Sequence, residues 1–329
     1  MERVSLSNAS FEGENNAYLL ADGTDTILID TGDWTDTTRD RLRAFLRGRD
    51  LDIEAIDRIY LTHWHPDHTG LAGEIQSRSG ASVHVHARDA PLVEGDPDSW
   101  AALRSLQERY FDGWGLPASK RAEIRDRMVD TPVYETPEVT PFEDGDVFSV
   151  NGRHLEVVHA SGHAAGLCLF ETTLDGASVV FSGDALLPVY TPNVGGADVR
   201  VERPLQRYLD ALRTIADAGY ETAWPGHRDP ITDPATRAAS IVRHHEERAW
   251  NVLATVERRG PVDTWTVSRE LFGELAGIHA LHGPGEVYAH LDHLERTGDV
   301  VSDGSEYRLA AGVADRLERR DGRRWDLSI

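Results

Sequence analysis

The chain has 329 residues, long for one compact domain, and this size suggests a large domain with a smaller companion. It carries 56 acidic residues against 34 basic ones, and its hydrophobic residues (40%) come in short runs, far below the roughly 20 that span a bilayer. A transmembrane helix is therefore excluded, a polyanion is disfavoured as main partner at a net charge of −22, and a lone cysteine, Cys168, permits no intrachain disulfide.

The N-terminus lacks the basic-then-apolar order of a secretory leader, so a cytoplasmic location is expected. Lys120 is the only lysine. An acidic, lysine-poor surface suits a protein kept soluble where salt screens charge over about 3 Å, which points to a salt-loving source. A codon bias against lysine is the competing reading.

Residues 15 to 31 read as two strands around an Asp22-Gly23 turn. Leu42, Phe45 and Leu46 recur at helical spacing between Thr35 and Arg49, and Arg58 to Thr62 is again a strand. A helix near Gly70 to Ser77 and the strand Ala81 to His86 follow. From 88 to 138 the alternation breaks. Trp100, Leu103, Leu106, Tyr110, Phe111, Trp114 and Met128 at mostly helical intervals predict a helical insertion, whose aromatics serve as core or as a lid. Strands return at 147–148, 154–158, 167–170 and 178–181, with Asn151-Gly152 and Asp175-Gly176 turns. The helix Pro204 to Ala218 and the segment Thr222 to His227 close a first domain, residues 1–232. A connecting helix fills most of 233–260 and ends at Gly260-Pro261. Residues 261–329 form a second unit, with helices near Val267 to Leu275 and Glu286 to Thr297, a hairpin at 300–309, and an Arg-rich stretch from Arg316 to Arg324. It is similar to a small winged-helix domain.

The stretch THWHPDH at 62–68 holds the chemistry. On an α-helix His63 and His65 would lie about 200° apart, whereas extended backbone projects both to one face. Pro66 pushes His65 out of the helical region. The chain then turns and presents Asp67 and His68 from a loop. Four such side chains in six residues converge only around something small and positive, and imidazoles with a carboxylate suit zinc, iron or manganese.

Here the sequence resembles the metallo-beta-lactamase superfamily, whose signature is HxHxDH followed by a His, an Asp and a His at strand ends. His163 in Ser-Gly-His-Ala, Asp184 in Phe-Ser-Gly-Asp and His227 in Trp-Pro-Gly-His match it. The resemblance covers roughly residues 1 to 258. It implies an α+β fold, a four-layer αββα sandwich, followed here by the winged-helix-like unit. It also implies two divalent ions, zinc in the first instance. His63, His65 and His163 would hold one, Asp67, His68 and His227 the other, with Asp184 bridging; Asp30 in Ile-Asp-Thr-Gly would orient the ligand loop by hydrogen bonding.

The implied reaction is hydrolysis by a metal-bridging hydroxide, with Asp67 and Asp184 as the catalytic carboxylates. The substrate would be a small ester, thioester or lactone, as in the glyoxalase II-like branch. The beta-lactamase-like protein 2 group, which cleaves single-stranded RNA and carries a similar tail, is the alternative. Nucleic acid is not favoured because the second tail helix is acidic rather than basic, and a dimerisation or lid role is the plainer reading of that tail. Persulfide dioxygenases, with one iron, are a third option that an intact set of seven ligands opposes. Ala164 and Arg228 depart from the threonine and glycine that many members carry there. Cys168 sits in an apolar strand with no sign of activation. His84 reads as packing, His86 is left open, and His244, His245, His279, His282, His290 and His293 read as surface or packing.

Overall fold

The computed structural model describes residues 1–6, 8, 13–126, 134–319 and 323–327. Two sheets face each other. The first runs β1 (Glu2–Leu6), β2 (Asn15–Leu20), β3 (Ile27–Ile29), β4 (Arg58–Tyr60), β5 (Ser82–His86) and β6 (Val139–Phe142). Its first three strands pair antiparallel and the others parallel. The second contains β7 (Val147–Val150), β8 (Arg153–His159), β9 (Cys168–Leu174), β10 (Ala177–Gly183) and β11 (Thr222–Pro225), antiparallel except for the β10–β11 pair.

Alternation along the strands builds the layers. Tyr18, Leu20, Ile27, Ile29 and Tyr60 of the first sheet share one apolar cluster with Leu155, Val157, Phe170 and Phe181 of the second. Their neighbours Leu19, Leu28, Ile59, Leu169 and Val180 belong instead to the larger cluster under the helices. On the first sheet that layer contains α1 (Asp36–Arg47), the single turn α2 (Pro66–Thr69) and α3 (Ala72–Ser79). Thr35 caps α1, its hydroxyl accepting from Thr38 N at 3.1 Å. The result is the mixed α/β sandwich expected from the sequence.

The insertion folds as α4 (Ala90–Val93), α5 (Pro97–Gly113) and α6 (Ala118–Arg125); Met128 lies outside the described residues. Its aromatics form core. Trp100, Phe111 and Trp114 are buried, and Tyr110 is packed against them. The other face of the sandwich carries α7 (Pro204–Asp217), the crossover between the parallel β10 and β11, and α8 (Pro234–Arg259).

Beyond α8 come β12 (Val262–Asp263), α9 (Thr264–Phe272), α10 (His279–Arg296), β13 (Val300–Asp303), β14 (Glu306–Leu309) and α11 (Val313–Arg319), with the strands ordered β12-β14-β13. These elements join the large apolar cluster of the first domain. Trp265 N donates to Trp114 O at 2.8 Å, and Tyr288 meets the Trp114 ring at 5.8 Å.

Four expectations need correction. Strand β1 precedes the first hairpin, its short ERVSL pattern burying only Val4 and Leu6. Strand β6 is an addition to the expected set: Pro141 interrupts it, which an edge strand tolerates. Asp67 and His68 stand on the turn α2, with Pro66 at its first position, rather than on an irregular loop. Helix α10 starts seven residues before Glu286 and runs through Gly283-Pro284-Gly285. The two turns at Asn151-Gly152 and Asp175-Gly176 are as expected, all four residues having positive φ.

Candidate metal centre

Every candidate ligand leaves the end of a strand on one rim of the sandwich. His63 and His65 follow β4, His163 lies between β8 and β9, Asp184 follows β10 and His227 follows β11. His65 is extended (φ −61°, ψ 141°), as Pro66 requires. His63 Nε2 and His163 Nε2 come within 2.9 and 3.0 Å of His65 Nδ1. Beside this trio, His68 Nε2 is 3.5 Å from Asp184 Oδ1 and 3.8 Å from Asp67 Oδ2. His227 Nε2 stands 3.4 Å from Asp184 Oδ2 and 3.5 Å from Asp67 Oδ2. Asp184 Oδ2 is also 3.6 Å from His163 Nε2, so this carboxylate faces both groups.

The hydrogen bonds on the far side of the rings decide which nitrogens are bare. Asp30 Oδ2 accepts from His68 Nδ1 (2.9 Å) and from the Thr62 hydroxyl (2.8 Å), and that hydroxyl lies 3.0 Å from His63 Nδ1. Asn193 O accepts from His163 Nδ1 (2.9 Å), and Ala197 O lies 3.4 Å from His65 Nε2. Each of these imidazoles therefore aims a lone pair inward. Lone pairs 2.9 to 3.0 Å apart repel unless a cation lies between them. Among the described residues, His68 Nε2 and Asp184 Oδ1 are buried with no hydrogen-bond partner.

Charge gives the same answer. Burial pushes the His63 imidazole far below its ordinary range and His65 down to about 3. Burial opposes charge on Asp184 too, but His227 and His68 beside it hold its carboxyl well below the usual carboxylate range. Burial opposes charge on His68 and His227 as well, but Asp184 and Asp67 beside them raise both imidazoles, so the carboxylates draw positive charge into this pocket. Two neutral imidazoles beside such a pocket suit divalent ions. The described residues offer three overlapping ligand groups here: His63, His65 and His163; His63, His68 and Asp184; and Asp67, His68 and His227.

Asp30 hydrogen-bonds the strand end that carries the first ligands. Its φ is +58°, and its carboxylate also accepts from Thr62 N at 2.8 Å. Three residues escaped the sequence reading: Asp89, Asp198 and Arg200. Asp89 accepts from Trp64 N, between the first two histidines (3.1 Å), and from Gly166 N (3.0 Å). Asp198 accepts from the Trp64 indole (3.0 Å) and from Ala165 N (2.9 Å). Arg200 donates to both carboxylates, at 2.7 and 2.6 Å, tying the His63–His65 loop to the His163 loop. Burial pushes Asp89 up to about 6 even against this guanidinium. Arg200→Met leaves two buried carboxylates facing each other and is expected to cost about 3–5 kcal/mol in denaturant unfolding. An unchanged midpoint would remove Arg200 from this role.

Other histidines also fall into place. His84 packs as expected, stacked on Tyr60 at 5.0 Å, and His86 stacks on His159 at 4.3 Å. His282 is neither simply surface nor core. Its carbonyl accepts from Asn193 Nδ2 at 3.0 Å, and burial, reinforced by His163 and His65, holds its imidazole down at about 3. It stands beside the site, on the first turn of α10.

A two-sheet sandwich with helices on both outer faces, and a histidine–aspartate cluster on one rim, defines a class of metal-dependent fold. The chain belongs to the metallo-beta-lactamase superfamily, whose family model matches residues 11–227. Lactamase-like protein nscB of Neosartorya fischeri is 25% identical over 78% of this chain and 66% of its own length. Atrochrysone carboxyl ACP thioesterase of Emericella nidulans is 25% identical over 74% of this chain and 61% of its own. The matched region thus spans about two thirds of these relatives, or less. A metallo-beta-lactamase family protein from Thermus thermophilus, 30% identical, superposes with TM-score 0.79 over 94% of this chain and 98% of that one. A beta-lactamase domain protein from Burkholderia ambifaria, 23% identical, shares the fold at TM-score 0.78 over 94% and 92%. Coverage this high takes in most of residues 261–329. No helix among the described residues is long and apolar enough to cross a membrane.

Proposed function

We propose that the chain is a di-metal hydrolase acting on a small thioester, ester or lactone, with His63, His65 and His163 holding one ion, Asp67, His68 and His227 the other, and Asp184 between them. The convergence of seven donor side chains from four separate segments carries this reading. Those residues would hold two divalent ions, zinc before iron or manganese, which would supply a Lewis acid and bring the pKa of a bound water down to ~7. The chain's own groups do the positioning. Asp30 and Thr62 fix His68 and His63, and Asn15 Nδ2 donates to the Asp67 backbone carbonyl at 2.8 Å and to its carboxylate Oδ2 at 3.2 Å. Asp67 is the most open of the three carboxylates, its side chain 19% exposed, and is placed to take a proton from an attacking water.

Thioesters lead the substrate classes. One relative is named a thioesterase, and the mouth offers apolar surface for an acyl group. Trp34 is 40% exposed against Tyr134, and Tyr190, 51% exposed, lies 4.7 Å from the guanidinium of Arg228, next to His227.

The C-terminal residues 261–329, joined by the helix of 233–260, read as a winged-helix-like unit in the order strand, helix, helix, hairpin, helix. Its second helix is not available as a nucleic-acid reader, because Gly283 to Val287, Ala289 to Leu291, His293 and Leu294 of α10 are buried. Hydrolysis of a thioester panel and of a labelled single-stranded RNA, each at low and molar salt, is the test. Thioester turnover with intact RNA is expected; RNA cleavage without thioester turnover would reverse the assignment. Plasma mass spectrometry of the active protein is expected to find zinc.

A further inference from the structure

A second cluster of ligand-type side chains lies away from the rim, between α8 and α10. His245 comes from α8, and Glu286 and His290 sit one turn apart on α10. All three are buried, and their donor atoms lie within 4.8 Å of one another. We propose that His245, Glu286 and His290 form a second, structural metal site for a divalent transition ion of the zinc type.

The geometry carries the argument. His290 Nδ1 donates to Glu286 O at 2.7 Å, so His290 Nε2 is the bare nitrogen. It stands 3.2 Å from His245 Nδ1, close to the separation of about 3.4 Å between ligands of a tetrahedral ion with bonds of about 2.0–2.1 Å. Glu286 Oε1 is 3.8 Å from the same His245 nitrogen. The i, i+4 spacing on α10 puts carboxylate and imidazole on one face, and α8 supplies the third donor. Three protein donors leave the fourth tetrahedral position to a water molecule.

Electrostatics favour the same occupant. Burial keeps both imidazoles neutral, His290 down at about 3, and therefore fit to bind. It also penalises the charge on Glu286, which the Arg248 guanidinium nearby offsets only in part and whose one hydrogen-bond donor among the described residues is Val194 N, at 3.4 Å. A cation removes that penalty.

The location gives the site a purpose. Val194 follows Asn193, whose carbonyl orients His163. An ion held by α8 and α10 would fix, through Glu286, the loop that aims a catalytic-site ligand, without touching substrate.

The test is a cobalt(II) titration of chelator-treated full-length chain, reading equivalents bound and visible d–d absorption. Wild type is expected to bind one equivalent more than either Glu286→Gln or His245→Phe, with the missing equivalent accounting for a distinct part of the absorption. Glu286→Gln, of the same shape, decides the matter if His245→Phe does not fold. Equal stoichiometry and identical spectra in wild type and Glu286→Gln would overturn the site. The same comparison in an Asp184→Ala background, where the rim site is stripped, must again show the missing equivalent, which assigns it to α8 and α10 rather than to His163.

Discussion

Asp184→Ala is expected to abolish turnover and to strip metal from the rim site. Asp184 alone among the candidate ligands faces both groups, with oxygens 3.5 Å from His68 Nε2, 3.4 Å from His227 Nε2 and 3.6 Å from His163 Nε2. Its removal takes away the carboxylate that stands between the two ligand groups and leaves buried imidazoles facing each other. A loss on the order of 10³-fold or more in kcat/KM corresponds to about 4 kcal/mol of transition-state stabilisation, within the range of a bridging ligand. Circular dichroism should remain native while plasma mass spectrometry shows the metal deficit. Near-normal activity with full metal content would remove Asp184 from the centre.

Gly226→Ala is expected to come close to the same result without deleting a single donor. A Cβ there would lie 2.4 Å from Asp184 Oδ1 and 2.6 Å from His68 Cε1. Neither neighbour can yield, because His68 is held by Asp30 and the Asp184 carboxylate is fixed between His68 and His227. The methyl group therefore separates the ligands themselves, and displacements near ~1 Å at such a centre cost on the order of 10²-fold in rate. Gly113→Ala is the control: nothing lies within 4 Å of a Cβ there, and activity should be unchanged. Wild-type metal content and turnover in Gly226→Ala would show that the rim is softer than its packing implies.

Much of this centre was legible because local chemistry dictated it. Pro66 forces His65 extended, and Asn151-Gly152 and Asp175-Gly176 spell their own turns. Alternation and turn signals gave the individual strands, whereas the αββα sandwich and the ligands His163, Asp184 and His227 came from the resemblance to the superfamily. What stayed hidden depends on distant partners. Asp89, Asp198 and Arg200 look like ordinary surface charges, and only the fold brings Arg200 across 111 positions to Asp89. Strand β6 carries a proline that reads as a break, yet its parallel partner β5 tolerates it. The beginning of α10 was obscured in the same way. Gly283-Pro284-Gly285 has the composition of a linker, but its small residues serve close packing inside a helix. His245 and His290 looked incidental because one lies on the connector and the other on the tail, 45 positions apart.

That packing bears on how the two halves of the chain are coupled. A Cβ at Gly285 would sit 2.2 Å from the Gly196 backbone, and one at Gly195 would lie 2.5 Å from Gly285 O. Main chain thus presses on main chain where the tail meets the loop carrying Asn193, with no flexible side chain to absorb an error. The tail is then less an appendage than a brace for the loop whose Asn193 carbonyl orients His163. A hybrid that borrows residues 261–329 from another member must bring a matching loop around 193–196 with it, or the histidine at 163 loses its alignment.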